Sequence, residues 1–509
     1  MKEQLALLPG YLAAHLALTL AALGVGVLVS VPAGILVSRV RRLEAPLLGL
    51  AGAVQTIPSL ALLAFMVPAL AALGAPSIGY LPAFIGLCLY SVLPILRNTV
   101  AGLGTLDPAV IEAARGVGMT PGQQLRRVEL PLALPVIVAG VRTAAVWTVG
   151  TATLSTPVGA PSLGNYIFSG LQTRNYAAVL VGCLAAAALA LLLDALVRLA
   201  EVGLRRRRRA PVAWAGVAFA LLAACAVAPL LRVPARAGAA PVRVGSKTFT
   251  EQYVLGRILA GWITRATGRP TETVESLGST VVFDALRRGQ IDAYVDYTGT
   301  LWATILKRGD VPADRGAVRR EVQRVLARDH GVRLVAALGF ENTYALAVRR
   351  AEAERLRLRR IGDLAPHAGA LVMGGDYELF QRPEWRAIVG TYGLAFRELR
   401  SMDPSLMYDA VSSGGVDVIS AFSTDGRIVS HDLVALEDDR AAIPPYDAVV
   451  LVSGRLAREQ PQVARALAAL EGSIDAAGMR RMNAAVDERG ESPAAVAERF
   501  LGEGGTPRP

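Results

Sequence analysis

Glu112-Ala113-Ala114-Arg115-Gly116-Val117-Gly118-Met119-Thr120-Pro121-Gly122-Gln123-Gln124-Leu125-Arg126-Arg127-Val128-Glu129-Leu130-Pro131 is a polar, arginine-bearing stretch set between long apolar runs. A glycine between two blocks of helix-forming residues predicts a short helix, a turn and a second short helix that stand out from an apolar layer. An ordinary amphipathic surface loop would be equally polar, so the flanks decide. Six apolar runs surround the stretch, roughly 11–38, 46–73, 79–100, 131–156, 177–200 and 212–231. Each is long enough to cross a bilayer, which takes about 20 residues.

The charged connectors give these runs a direction. Arg39, Arg41 and Arg42 follow the first, Arg115, Arg126 and Arg127 lie between the third and fourth, and Arg205 to Arg209 lie between the fifth and sixth. The alternate connectors are nearly uncharged apart from Arg174. Positive loops stay in the cytoplasm, so the N-terminus and everything from residue 233 onward are expected outside. The first run is long and is followed by further spans, so a cleaved signal peptide is not expected.

Composition agrees with a divided chain. With 509 residues the chain exceeds one core. A hydrophobic share of 53% and a mean hydropathy of +0.42 exceed what a soluble protein carries. Residues 1–240 hold 18 Lys/Arg and 7 Asp/Glu, and residues 241–509 hold 35 of each, so the net charge of +11 lies wholly in the first part. That excess reads as membrane topology and not as affinity for nucleic acid. Cys88, Cys183 and Cys225 fall in apolar runs, which leaves the second half without a disulfide or a cysteine metal site. His15, His330, His367 and His431 are scattered without ligand spacing, and no metal site is expected.

The spacing Glu-Ala-Ala, three residues, Gly, nine residues, an aliphatic, any residue, Leu-Pro is met by Glu112, Ala113, Ala114, Gly118, Val128, Leu130 and Pro131. It resembles the cytoplasmic coupling loop of ATP-driven (ABC) importer permeases. The resemblance implies a separate ATP-binding-cassette ATPase dimer that grips this loop, with ATP and Mg bound there and no cofactor in this chain. It also implies a second copy of this chain, or a homologous permease, across one pathway in a bacterial inner membrane.

Within the apolar runs, Gln55-Thr56-Ile57-Pro58-Ser59 and Gly150-Thr151-Ala152-Thr153 place hydrogen-bonding groups at membrane depth. Such groups are tolerated where helices pack closely or line a polar path. Arg97 is expected to snorkel, and Arg142 to face either the bundle or the surface. The segments from Gln55, Leu89 and Gly159 (QTIPSLALL, LYSVLPILRNTVAGL, GAPSLGNYIFSGL) resemble permeases of the glycine betaine, choline and osmoprotectant branch over residues 10–200. The run Pro211 to Leu231 and the Pro/Ala/Gly stretch Val233 to Pro241 read as a tether that carries the next domain across the membrane.

From Val242 the pattern turns to short apolar strands alternating with amphipathic helices: Val242–Val244, Glu251–Ala266, Thr271–Val274 and Val281–Arg288, then Thr343–Val348, Leu371–Gly374, Ala387–Tyr392 and Val416–Ser420. This predicts two α/β lobes that hinge around a cleft. Gly245-Ser246-Lys247-Thr248 lacks the glycine spacing of a phosphate-binding loop, so nucleotide binding is not expected there. Instead it follows a strand and opens a helix, with Thr248 or Thr250 as cap. The Glu437-Asp438-Asp439 cluster reads as a solvated loop.

The stretch from Gly245 to Gln252, with Asp296-Tyr297-Thr298-Gly299-Thr300, Glu341 to Leu346, Arg382-Pro383, Ser423-Thr424-Asp425-Gly426 and Pro444-Pro445-Tyr446, resembles betaine-type osmoprotectant binding proteins over residues 242–500. The resemblance implies ring walls at Tyr297, Tyr344 and Tyr446, polar contacts at Thr300, Asn342 and Gln252, and a carboxylate partner at Arg382. Phe422 stands where a tyrosine is usual and offers a ring without a hydroxyl. The chemistry suits these residue types, because a methylated ammonium donates no hydrogen bond and is held by ring faces worth about 0.5–2 kcal/mol each. Arginine clamps a carboxylate with two parallel bonds. A tyrosine in an α/β domain is nonetheless more often core than ligand wall.

The expected architecture is a multi-domain chain: an all-α transmembrane permease bundle over 1–205, a sixth helix and linker over 206–240, and an α/β two-lobed periplasmic-binding-protein (type II) domain over 241–509. The expected cargo is a small zwitterionic or cationic solute of the glycine betaine or choline type; a different betaine-bearing or amino-acid-like metabolite such as ergothioneine is the alternative. A transmembrane sensor, an ion-gated carrier and a membrane-anchored enzyme are the rival classes. A sensor is expected to carry a cytoplasmic output domain, an ion-gated carrier would need neither the Glu112–Pro131 loop nor a fused receptor, and an enzyme would need a nucleophile-base pair, which the motif residues do not form.

Overall fold

A computed structural model describes residues 2–173, 175–231, 240–308, 314–376 and 379–502. Arg174 and most of the tether, residues 232–239, lie outside them. Two compact units divide the chain, Met1–Phe168 with Tyr176–Ala237 and Ser169–Asn175 with Gly238–Pro509.

The first unit is helical. Among the described residues, five helical stretches are long and apolar enough to cross a membrane: Leu7–Arg39, Tyr80–Gly104, Pro121–Val158, Tyr176–Arg205 and Arg209–Ala226. The second apolar run does not form one straight span. It breaks into Glu44–Thr56 and Ser59–Ala72, bent by 99°. The cause is local: Pro58 has no N–H and forces Ile57 into an extended conformation (φ −71°, ψ 126°). Polar neighbours then satisfy the break. The Tyr90 hydroxyl donates to the Ile57 carbonyl, and Gln55 Nε2 donates to the Tyr90 carbonyl at 3.0 Å.

Small residues set the helix packing. A Cβ on Gly140 would lie 2.8 Å from the Pro94 carbonyl oxygen, and one on Gly26 would lie 2.0 Å from Ser91 Oγ. The helix Tyr80–Gly104 is thus gripped from two sides through glycine contacts, as expected where apolar burial alone gives helices no reason to associate. Arg142, left open by the sequence, makes a two-bond pair with Asp194 at 2.5 and 3.0 Å. Arg97 is exposed.

The second unit holds two five-stranded sheets. The strands are β1 Val242–Lys247, β2 Thr271–Leu277, β3 Ala293–Tyr297, β4 Arg333–Glu341, β5 Tyr344–Arg349, β6 Val372–Gly375, β7 Glu398–Ser401, β8 Val418–Phe422, β9 Leu433–Leu436 and β10 Asp447–Val452. Their orders are β2-β1-β3-β10-β4 and β7-β6-β8-β5-β9. In each sheet the outer three strands are parallel and one strand returns antiparallel, β10 beside β3 and β5 beside β8. Strand β10 is fully buried from Ala448 to Val452, which matches its uninterrupted apolar sequence.

The chain passes between the sheets twice, through Asn342-Thr343 and again between Leu436 and Asp447. In the acidic cluster of the second passage Glu437 and Asp439 are exposed, as expected of a solvated loop, while Asp438 is structural. Asp438 accepts the backbone N–H groups of Ala442 (3.0 Å) and Ile443 (2.8 Å) and the Tyr392 hydroxyl (2.5 Å). Its short side chain mimics a backbone acceptor and fixes the turn.

Candidate ligand cleft and coupling element

The helix Thr250–Thr267 begins beside β1 with Phe249 at its cap position, and no side chain caps it. The expected threonine cap is therefore absent. The first turn carries Glu251 instead, where a carboxylate complements the unpaired N–H groups and the helix dipole. Glu251 is buried, and four neutral donors converge on it. Oε1 accepts the Tyr297 hydroxyl (2.5 Å) and Asn342 Nδ2 (3.0 Å), while Oε2 accepts the Thr424 hydroxyl (2.5 Å) and Asn483 Nδ2 (3.1 Å). Burial lifts its pKa above the ordinary glutamate value, and the four hydrogen bonds pull against that rise.

Around this carboxylate lies a cavity of about 240 Å³ in the second unit. Tyr297, Thr300, Asn342, Tyr344, Arg382, Phe422 and Tyr446, all singled out from the sequence, line it. Gln252 does not. Its Nε2 donates to the Tyr297 hydroxyl (3.1 Å) and its Oε1 accepts the Lys247 N–H (3.4 Å), so it stands behind the wall it supports. The resemblance implied a ligand contact, but the first helical turn aims Gln252 inward.

The rings pack edge to face and in stacks. Phe422 lies 5.0 Å from Tyr344 and 6.0 Å from Phe249, the latter pair inclined by only 9°. Tyr446 meets Tyr344 edge-on at 6.1 Å. Two of the expected walls already carry a cation of the protein: Arg382 sits 5.6 Å from the Tyr344 centroid and Lys247 Nζ 5.5 Å from that of Tyr297. The Tyr446 hydroxyl donates to buried Glu384; burial, then the Glu384 charge, pushes its pKa well above the usual tyrosine value.

Among the described residues, five carboxylates line the cavity, Glu251, Asp376, Asp403, Asp425 and Asp487, against three cations, Lys247, Arg382 and Arg427. Lys247 is paired with buried Asp296 at 2.5 Å, and Arg427 grips Asp425 through Nε and Nη2 at 2.9 and 2.6 Å. Burial alone would raise the Asp425 pKa, but the Arg427 charge and hydrogen bonds outweigh it and hold that carboxyl below its ordinary value. The cavity therefore favours a ligand with positive charge. Lys247, Phe249, Glu251 and Asp425 stand in stretches that carry the resemblance but were given no part in the site, and Arg427 was not singled out. The place of the first four in the stretches Gly245 to Gln252 and Ser423 to Gly426 was a signal that could have found them.

In the first unit, Glu112, Ala113 and Ala114 lie on the helix Pro108–Gly116, capped by Asp107. Gly118 takes φ +79°, which a side chain rarely tolerates. Thr120 and Gln123 then form a capping box for the next helix. That second helix is not short. It runs from Pro121 through a wider turn at Leu125–Glu129 into Leu130–Ala152 without a break. The wider turn lets Pro131, which has no N–H, pass without ending the helix. Buried Glu129 accepts from Gln124 Nε2 and pairs with Arg39 at 2.5 Å, which ties the element to the first span.

An all-α membrane unit with such a polar element, joined to a two-lobed receptor, defines a binding-protein-dependent importer component. Residues 240–503 match the family model described as the substrate binding domain of ABC-type glycine betaine transport system. Residues 26–206 match that of the binding-protein-dependent transport system inner membrane component. The chain belongs to this family: it is an ABC importer permease, multi-pass in the inner membrane, fused to a substrate-binding domain. It is 31% identical, over 88% of its length and 81% of the relative's, to the ergothioneine transport permease/ergothioneine binding protein EgtU of Helicobacter pylori. The choline transport system permease protein OpuBB of Bacillus subtilis is 41% identical over 37% of this chain and 83% of its own. The carnitine transport binding protein OpuCC of Listeria monocytogenes is 30% identical over 51% of this chain and 85% of its own.

Proposed function

We propose that the receptor unit binds a small solute bearing a methylated ammonium, zwitterionic as in glycine betaine or cationic as in choline, and that the helical unit passes it into the cell. The observation that carries this reading is the cleft itself, where Phe249, Tyr297, Tyr344, Phe422 and Tyr446 gather beside Arg382 with carboxylates in excess. Ring faces and surplus negative charge suit the ammonium, and Arg382 suits the carboxylate.

In this reading the receptor and the N-terminus lie outside the membrane, and residues 206–240 act as a sixth span and tether. A separate ATPase dimer, which holds the ATP and Mg, drives Glu112, Ala113, Ala114, Gly118, Leu130 and Pro131, with a second copy of the chain or a homologous permease completing the pathway. A larger betaine, ergothioneine, is the second reading. It is favoured by the relative that shares the fused order over 88% of this chain and is named for that solute.

Uptake of radiolabelled glycine betaine, choline, carnitine and ergothioneine by cells with and without the gene tests both readings. Gene-dependent accumulation of one of them supports the reading that names it. Accumulation of none overturns the betaine assignment.

A further inference from the structure

The segment Ser423-Thr424-Asp425-Gly426 follows β8 in the second lobe, yet its contacts reach the first. The Thr424 hydroxyl donates to Glu251 Oε2 at 2.5 Å, and Asn483 Nδ2 donates to the Thr424 carbonyl at 3.0 Å. Glu251 begins the helix after β1, and Asn483 lies on Ala476–Asp487, which packs against that same helix. Asn483 also bonds Glu251 directly, so one amide joins both sides of the junction. Asp425 is locked to Arg427 and holds the turn in shape through the Arg427 backbone N–H at 3.0 Å. Gly426 completes the fit. A Cβ there would lie 3.0 Å from Ala484 Cβ and 3.2 Å from its Cα, so any side chain at this position would push the segment and Ala484 apart by a few tenths of an ångström.

We propose that Thr424, Asp425 and Gly426 form an interlobe latch that closes on Glu251, Asn483 and Ala484, and that this latch governs how long the receptor stays shut. Glu251 is well placed for that task. Tyr297, Asn342 and Asn483 satisfy three of its acceptor positions from the first lobe and the passage between lobes, which leaves Thr424 to complete the set only when the lobes meet. With the lobes apart water takes that position, so closing gains the net worth of one hydrogen bond, and a closed receptor that lacks the Thr424 donor leaves a buried acceptor unsatisfied. Thr424 and Gly426 are accordingly positioning residues, whichever solute the cleft takes.

The test uses the full chain in lipid nanodiscs with Cys88, Cys183 and Cys225 replaced by alanine. Glu272→Cys on β2 and Glu398→Cys on β7, both exposed, carry spin labels for distance measurement by double electron-electron resonance. Thr424→Val keeps the shape and removes the donor, and is expected to lower the ratio of closed to open lobes about tenfold, the order of one buried hydrogen bond left unmade. Gly426→Val is expected to open the lobes by contact with Ala484, and Ala484→Gly in the same chain to restore the closed distance. A distance distribution unchanged by Thr424→Val and Gly426→Val overturns the latch. So does an open Gly426→Val chain that Ala484→Gly leaves open while Thr424→Val stays closed. No solute is needed, so a failed betaine assignment would leave this test untouched.

Discussion

Glu129 in the helical unit and Glu251 in the receptor are both buried glutamates, and their partners differ in kind. Glu129 meets a guanidinium, Arg39, and one amide. Glu251 meets four neutral donors drawn from four separate segments. A carboxylate with a cation acts as a two-point strut, because losing either partner strands the other charge. A carboxylate among neutral donors acts as a gathering point, where each donor removed weakens the junction by a step. The polar element of the helical unit thus uses its glutamate to fix two helices against each other, and the cleft uses its own to bring four segments together.

The strut offers the largest effect. Arg39→Met leaves Glu129 buried beside Gln124 alone and is expected to reduce solute uptake by about tenfold or more, with binding by the receptor unchanged. Adding Glu129→Gln should recover much of the loss, because removing both charges is far less costly than stranding one. Uptake by cells, set beside titration of the purified chain, separates the two effects. If the double variant is as defective as the single, the pair is no strut.

For the gathering point the expected change is smaller. Glu251→Gln replaces one acceptor oxygen by a donor that faces Thr424 and Asn483 or Tyr297 and Asn342. It is expected to lower receptor stability by about 1–3 kcal/mol, read from urea unfolding followed by tyrosine and tryptophan fluorescence. A loss near zero would mean that the four bonds are dispensable.

The smallest effect lies in pH dependence, and the receptor supplies both signs. Burial lifts Glu251 above its ordinary value of 4.5, so the folded chain holds that proton more tightly than the unfolded chain. Its contribution to stability is complete below 4.5 and is lost as pH rises through the folded value. Asp425 is held below its ordinary 3.8, so its contribution is present above 3.8 and is lost as pH falls through the folded value. Thermal unfolding from about pH 7 downward should therefore show a stabilising component that Glu251→Gln removes, and at more acid pH a destabilising one that Asp425→Asn removes. The two variants shifting the profile in the same direction would contradict these assignments.

Much of this division is legible in the amino-acid order alone. Apolar length marks five of the six runs as single helices, and the alternation of strand and helix from Val242 marks both lobes within a few residues. Seven of eight residues assigned to the ligand line the cavity. The break at Pro58 is visible as polar residues in an apolar run, but its angle depends on Tyr90, which sits on another helix. Glu251 escapes notice because its partners are remote: Asn342 is 91 positions away, Thr424 is 173 and Asn483 is 232. The Lys247–Asp296 pair spans 49 positions and is hidden for the same reason. Periodicity records which face of an element is buried and carries no record of which buried charges will meet.

The measurement closest to the central claim is calorimetric titration of the purified full chain with glycine betaine, choline, carnitine and ergothioneine, repeated with Tyr446→Ala. The account predicts binding at micromolar concentration or tighter for at least one of them, a free energy of about 8 kcal/mol, weakened by about tenfold or more in the variant. Binding of none, or binding indifferent to the loss of the Tyr446 ring, would contradict an aromatic cleft built for a methylated ammonium.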